Sequence, residues 1–202
     1  LLAEPDLIAL RQLCRYRFSL VDQISDVKRK VICLLDQVFP EYESIFSDLF
    51  GTSSRQMLAE FSSPEEFLAV DTEKLASLLQ RASRGHFGMH QAQRLQDAAR
   101  HSFGVKLGSD ALTFELRQLI AQINFLENQL AELAEHISRH YEKFDCVLHT
   151  IPGVGKVLAA IILSEIGDIH RFASPGKLVA FTGIDPSIKQ SGGFIGTHSH
   201  MS

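Results

Sequence analysis

A regular heptad repeat of leucine and isoleucine constrains the fold of this chain more than any other feature. The apolar residues follow one another at steps of four and three for nearly four heptads: Leu112, Leu116, Leu119, Ile123, Leu126, Leu130, Leu133 and Ile137. A strict 3.5-residue repeat predicts one long helix with a left-handed coiled-coil seam. The seam can close on a second copy of the chain, which is the pairing we expect, or on the chain's own first long helix.

That first long helix is predicted from about Leu7 to Val38. Apolar residues recur there at steps of three and four, without Gly or Pro, until Phe39-Pro40 ends the run. The same segment is the most basic part of the chain, and its cations are Arg11, Arg15, Arg17, Lys28, Arg29 and Lys30. They form either a solvated helix face or a surface that faces nucleic-acid phosphates.

The residues between the two long helices predict several short helices. Ser63-Pro64-Glu65-Glu66 has the pattern of a capping box with proline at the first helical position. Asp71 can cap a second short helix. The histidines of this region lack the spacing of metal ligands, so we assign no metal site here.

These patterns predict a mainly α-helical chain with four regions. They are a long-helix region at 1–50, a short-helix region at 51–110, a coiled-coil helix at 111–146 and a compact helical domain at 147–202. Because the net charge is −4, any contact with nucleic acid has to be local.

Cysteine spacing and hydropathy restrict the compartment. The chain has 3 cysteines without CxxC spacing, which favours a reducing cytosol and argues against a disulfide framework or a zinc site. No apolar run reaches the roughly 18 residues of a membrane span, and the first residues are not a signal peptide. We expect a cytoplasmic protein, and both chain ends suggest a fragment.

The stretch IPGVGKVLAAIILSEIG, residues 151–167, resembles a nucleotide-binding loop at first sight. A P-loop needs glycine at position 150 and a hydroxyl at 157, where this chain has Thr150 and Val157. A dinucleotide fingerprint needs glycine at 158, which is Leu158. The spacing therefore excludes both classes of nucleotide site.

The wider spacing matches a helix–hairpin–helix DNA-binding motif. Leu148, Ile151, Ala159 and Ile162 form the apolar frame that locks two short helices together. Gly153 and Gly155 give a tight turn, after which unpaired N–H groups at the start of the second helix can bind a phosphate. Lys156 adds a cation at the same end. The alternative is a tight helical turn without DNA.

Downstream, Ser174 can cap a helix that has Pro175 at its first position. Residues 190–193, Gln-Ser-Gly-Gly, predict a small exposed loop whose serine a bulky substrate can approach. By composition alone this is a loop serine. We expect the segment 187–194 to be extended or disordered.

In order along the chain, these features resemble the C-terminal domain of the RuvC-like (DEDD) insertion-sequence transposases. This family includes the bridge-RNA-guided recombinases and is related to the pilin-gene invertases. The motifs that carry the resemblance are Pro152–Gly155, Glu165–Asp168, Arg171-Phe172, Lys177-Leu178, Gly183–Pro186 and Gln190–Gly192. The N-terminal segment resembles the long helix that follows the nuclease core of the family.

The resemblance implies a DNA transposase or site-specific recombinase that cleaves and exchanges strands. It implies that Ser191 is the nucleophile and that four upstream acidic residues, which this chain lacks, bind Mg²⁺, so the fragment alone should be inactive. The DNA-binding residues expected are Gly153, Val154, Gly155, Lys156, Gln190 and Gly192.

The partners expected are double-stranded DNA, a guide (bridge) RNA and a second copy through the 112–137 seam, in the bacterial nucleoid. Two alternatives stay open. One is a non-catalytic helix–hairpin–helix module that a coiled coil dimerises, and the other is a helical scaffold without nucleic acid.

Overall fold

The computed structural model describes residues 5–106, 108–183, 190–191 and 194–195. The described residues are mainly α-helical, as predicted. The α-helices are α1 (Pro5–Val38), α2 (Thr52–Glu60), α3 (Pro64–Ala69), α4 (Thr72–Ala82), α5 (Met89–Arg100), α6 (Ser109–Tyr141), α7 (Lys156–Ile166) and α8 (Pro175–Phe181). Short 3-10 helices lie at Pro40–Ser44, Leu148–Thr150 and Ile169–Arg171.

The two long helices, α1 and α6, pack against each other along their length. Lys143, just beyond α6, pairs with Asp6 in the first turn of α1, with 2.8 Å between Nζ and Oδ1. Lys28 Nζ lies 3.5 Å from the Glu127 carboxylate near the middle of both helices. Because early positions in α1 meet late positions in α6, the two helices run antiparallel.

The heptad seam lies inside this antiparallel pair. Leu116, Ile123 and Ile137 are fully buried, and Leu10 and Val31 of α1 are equally inaccessible in the same core. The partner we expected for the seam, a second copy of the chain, is therefore wrong for this face, because α1 already covers it. The arrangement observed is the intramolecular alternative. The helix ends at Tyr141, before the predicted limit of 146.

The short helices α2 to α5 pack around an aromatic cluster at one end of the pair. Phe39 and Tyr42, which follow α1, contact Phe67 of α3 with ring centroids 5.8 and 5.9 Å apart. The hydroxyl of Tyr42 donates to the carbonyl of Ser54 at 3.0 Å. Full burial of these rings supplies the apolar area that such short helices need.

Both predicted helix caps in this region are present. Ser63 accepts a hydrogen bond from the backbone N–H of Glu66 at 3.3 Å, and Asp71 accepts from the N–H of Glu73 at 3.0 Å. The return bond of the capping box differs from the prediction, because the Glu66 carboxylate accepts from the N–H of Ser62 instead of Ser63.

At the other end of the pair, α7 packs on both α1 and α6. Ala159 and Ala160 are fully buried there, and their small side chains let the helices approach closely. Arg11 of α1 donates from Nε to the carbonyl oxygen of Ser164 at 2.7 Å. These contacts fix the orientation of α7, and with it the glycine-containing turn that precedes the helix.

Two short strands follow α8. β1 (Gln190–Ser191) pairs antiparallel with β2 (Phe194–Ile195), with Ser191 opposite Phe194. These residues adopt the extended conformation, one of the two that we expected for 187–194. The rest of that segment lies outside the described residues.

Candidate nucleic-acid interface

The segment from Leu148 to Gly155 is a 3-10 turn followed by a tight hairpin. The N–H of Val154 donates to the carbonyl of Ile151 at 2.9 Å and closes the hairpin. Gly153 has φ +87°, a left-handed backbone conformation that residues other than glycine rarely adopt. Glycine at this position is therefore a requirement of the turn.

The two glycines leave the turn open to solvent. A Cβ added to Gly153 or to Gly155 would meet no heavy atom within 4 Å, counting the described part of the chain. Gly155 is also the N-cap of α7, and its carbonyl accepts the first helical hydrogen bond, from Ala159, at 2.9 Å. The first N–H groups of α7 have no acceptor within the helix, so a phosphate can approach them closely.

The apolar frame of this turn differs in part from the prediction. Leu148 and Ala159 pack into the core as expected, but Ile151 is 50 % exposed and does not lock the hairpin. Val154 and Val157 take its place against the core.

The element before the hairpin is also shorter than a helix–hairpin–helix requires, since it is a 3-10 turn of 3 residues. Because the Val154 side chain packs inward, only its backbone is suited to a DNA contact.

Lys156, the first residue of α7, lies at the edge of the open turn. Its Nζ forms an exposed ion pair with the Glu142 carboxylate, which follows α6. The ammonium group lowers the pKa of that carboxyl below its ordinary value. A phosphate placed at the turn would therefore have to compete with Glu142 for Lys156.

A polar cluster that the sequence did not predict holds the 3-10 turn to the end of α6. The Tyr141 hydroxyl donates to the carbonyl of Cys146 at 2.8 Å and lies 3.2 Å from Nδ1 of His149. That nitrogen is also 3.1 Å from the Cys146 carbonyl. Since Tyr141 is almost fully buried, the base of the turn is fixed relative to α6.

The basic segment of α1 is largely occupied by contacts within the chain. Arg11 and Arg15 bind α7, Lys28 pairs with Glu127, and Arg29 pairs with Asp26 on the same helix. The structure therefore favours a structural role for this face over the phosphate-facing interpretation.

The predicted nucleophile belongs to the short pair of strands. The backbones of Gln190 and Ser191 form β1, whereas Gly192 lies outside the described residues. The hairpin residues Gly153–Lys156 are therefore the part of the predicted site whose surroundings are described.

The described ranges contain no group of three or more His, Cys, Asp or Glu side chains placed to hold a metal ion. They also contain no helix that is long and apolar enough to cross a bilayer.

The part of the chain that contains the glycine turn matches a known protein family. Residues 145–202, which begin just before the 3-10 turn and include α7, α8 and both strands, match the model of the transposase IS116/IS110/IS902 family. Three curated proteins match nearly the whole chain. This chain is similar in sequence to proteins of the insertion elements.

Two of these relatives carry the names of insertion elements. The IS116 44.8 kDa protein of Streptomyces clavuligerus is 23% identical over 197 residues, which is 96% of this chain and 49% of the relative. The IS110 43.6 kDa protein of Streptomyces coelicolor is 24% identical over 185 residues, or 90% and 45%. The third is a mini-circle protein of Streptomyces coelicolor, whose name proposes it as the transposase for IS117. It is 25% identical over 194 residues, or 91% and 47%. The chain thus spans about half the length of the curated relatives that it matches.

Proposed function

We propose that this chain is the DNA-binding part of an insertion-sequence transposase, and that the intact enzyme cleaves and exchanges DNA strands. The open glycine turn at the start of α7 carries the proposal for DNA. It combines exposed backbone, free space at Gly153 and Gly155, and a cation at Lys156. Such a site binds one backbone phosphate and reads no sequence. The homology to transposases favours this function over a non-catalytic module or a scaffold.

We also propose that Ser191 is the nucleophile of the intact enzyme. Its Oγ would form a bond to phosphorus while the bond from phosphorus to a deoxyribose oxygen breaks. The serine proton passes to a base, and the leaving oxygen gains a proton. A free serine hydroxyl is a poor nucleophile and needs activation. Acidic residues in the upstream core of the intact enzyme would hold Mg²⁺, which would stabilise the developing charge.

The remaining partners belong to the intact enzyme. The glycine turn and Lys156 together form what we call the phosphate clamp, and such a clamp does not distinguish DNA sequences. A guide (bridge) RNA would therefore choose the target. Contacts with Gln190 and Gly192 would hold the strand next to Ser191. A second copy, if the enzyme is an oligomer, would bind through a face other than the 112–137 seam. The enzyme would act in the cytoplasm, on the nucleoid.

A substitution of Gly155 tests the open turn. Gly155 has φ −76°, so alanine adopts the backbone without strain, and its methyl group enters the space that we assign to the phosphate. Gly155→Ala should weaken binding of the 202-residue chain to a short DNA duplex, measured by fluorescence anisotropy. Gly88→Ala is the matched control, because Gly88 also caps a helix and also has no heavy atom within 4 Å of an added Cβ. Equal affinities of the two variants would refute the clamp.

A lysine pair gives a second test of the same clamp. Lys156→Gln should weaken binding. It should also reduce the salt slope, which is the slope of the logarithm of the binding constant against the logarithm of the salt concentration, by about one. Lys143→Gln removes a lysine from a comparable exposed pair, with Asp6, and should leave the slope unchanged.

The nucleophile is tested in the full-length protein. Ser191→Ala should abolish recombination and the covalent DNA–protein adduct while DNA binding persists. An adduct at the normal level in this variant would disprove the assignment.

A further inference from the structure

Arg171 lies against two aromatic rings at the junction between α7 and α8. It ends the 3-10 helix at 169–171, and its guanidinium carbon is 4.6 Å from the ring centroid of Phe172 and 4.7 Å from that of Phe181. The two rings are themselves in contact, with centroids 5.3 Å apart. Two cation–π contacts hold the guanidinium in a defined orientation.

Within the described residues, Arg171 forms no ion pair, although other cations near α7 do. Lys156 is paired with Glu142, and Arg15 with Glu165. Asp168, the nearest acid in sequence, accepts a hydrogen bond from the N–H of His170 at 2.9 Å and caps the 3-10 helix. Ring contacts use the faces of a guanidinium, so its N–H edges stay available for hydrogen bonds.

A second cation lies on the same side. Lys177 is exposed and precedes Phe181 by four residues on α8, so the two side chains share one face of the helix. Because Phe181 contacts Arg171, this face brings a lysine toward the arginine. Planar N–H edges with a neighbouring ammonium suit a phosphodiester, which accepts two parallel hydrogen bonds from arginine.

We infer that Arg171, supported by Lys177, binds a backbone phosphate of double-stranded DNA, as a second contact beside the glycine turn. This inference rests on the proposed function. The 11 residues of α7 span about 16 Å, and the two contacts start from opposite ends of that helix. Such a separation is comparable to the ~12 Å width of the DNA major groove, so the two contacts can reach phosphates on its two sides.

Arginine variants of the 202-residue chain test this assignment on a DNA duplex across a range of salt concentrations. Arg171→Ala should lower affinity by about threefold to tenfold and reduce the salt slope by about one. Arg171→Lys keeps the charge but loses the planar edge, so its slope should match the parent while affinity falls. Arg81→Ala, which removes an exposed arginine from α4, is the control and should leave the slope unchanged.

A third variant distinguishes the ring that orients Arg171 from the arginine that contacts DNA. Phe181→Leu keeps an apolar side chain but removes one ring from beneath the guanidinium, so binding should weaken without a change of slope. A role of Arg171 in stability alone would leave the slope of Arg171→Ala equal to that of Arg81→Ala, and this result would overturn the inference.

Two further outcomes distinguish the proposals. If the parent chain does not bind duplex DNA in a salt-dependent manner, the proposed function fails and the inference fails with it. If Arg171→Ala weakens binding to single-stranded RNA but leaves DNA binding unchanged, only the inference is overturned.

Discussion

Arg15 of α1 and Glu165 of α7 form a two-point ion pair across 150 positions of sequence. Nε lies 3.0 Å from one carboxylate oxygen, and the terminal nitrogen Nη2 lies 3.1 Å from the other. The pair holds α7 to the long helix beside the backbone bond from Arg11 to Ser164. It therefore helps to orient the helix whose first turn carries the proposed phosphate clamp.

A double-mutant cycle measures this pair. Both side chains are largely exposed, at 61% and 41%, so solvent screening keeps the coupling small. We expect Arg15→Ala and Glu165→Gln to show only a small coupling free energy in urea unfolding. Additive effects of the two substitutions would show that the pair does not hold α7.

Stability should fall in acid. The pKa of the Glu165 carboxyl lies below its ordinary value of 4.5, first because it accepts hydrogen bonds from Arg15, and Lys143 similarly lowers the pKa of Asp6. A carboxylate with a lowered pKa in the folded state stabilises the fold above its unfolded pKa, and this contribution is lost as pH falls through the folded value. Urea unfolding at a series of pH values below about 5 should show the loss. Glu165→Gln should reduce the pH dependence, and an unchanged profile would contradict the assignment.

Because the heptad seam packs against α1 of the same chain, the stability of the fold should not depend on protein concentration. Ile123 is fully buried between α1 and α6, so Ile123→Ala should lower the free energy of unfolding by about 2 to 5 kcal/mol. Phe125 lies on the same helix but is 61% exposed, and Phe125→Ala should have a small effect. If the seam joined two copies, the thermal midpoint would rise with concentration, which would contradict the intramolecular packing.

Gly104 should not tolerate a larger residue. A Cβ there would overlap the carbonyl oxygen of Val38, at the end of α1. Because the obstacle is backbone, Gly104→Ala should cost about 1 to 3 kcal/mol in unfolding experiments. Gly88→Ala, with open space around the added methyl, is the control. Equal stabilities of the two variants would show that residues 102–106 can move away from α1.

The sequence predicted most of the helices because their signals are local. The steps of three and four in both long helices, the cap at Ser63 and the cap at Asp71 involve residues within a few positions of one another. The partner of the seam could not be derived in this way. A heptad surface accepts an intramolecular and an intermolecular helix equally well, and only the tertiary path of the chain chose α1.

The candidate site was predictable only where it depends on glycine. Gly153 and Gly155 marked the turn, but Ile151 was assigned to the frame because its spacing resembles that of the buried positions. The ion pair between Lys156 and Glu142 joins residues on opposite sides of the hairpin. The spacing of residues along a single helix could therefore not predict it. The stacking of Arg171 on Phe181 likewise depends on how α8 folds back.

The N–H of Val105 donates to the carbonyl of Gln37 at 2.7 Å, so the chain leaves the long helix pair and returns to it at nearly the same point. The four short helices between these residues form a side branch of the molecule. A change in the length of that branch would therefore leave the reach of the two-helix arm unchanged, and with it the position of the glycine turn at the far end of the arm.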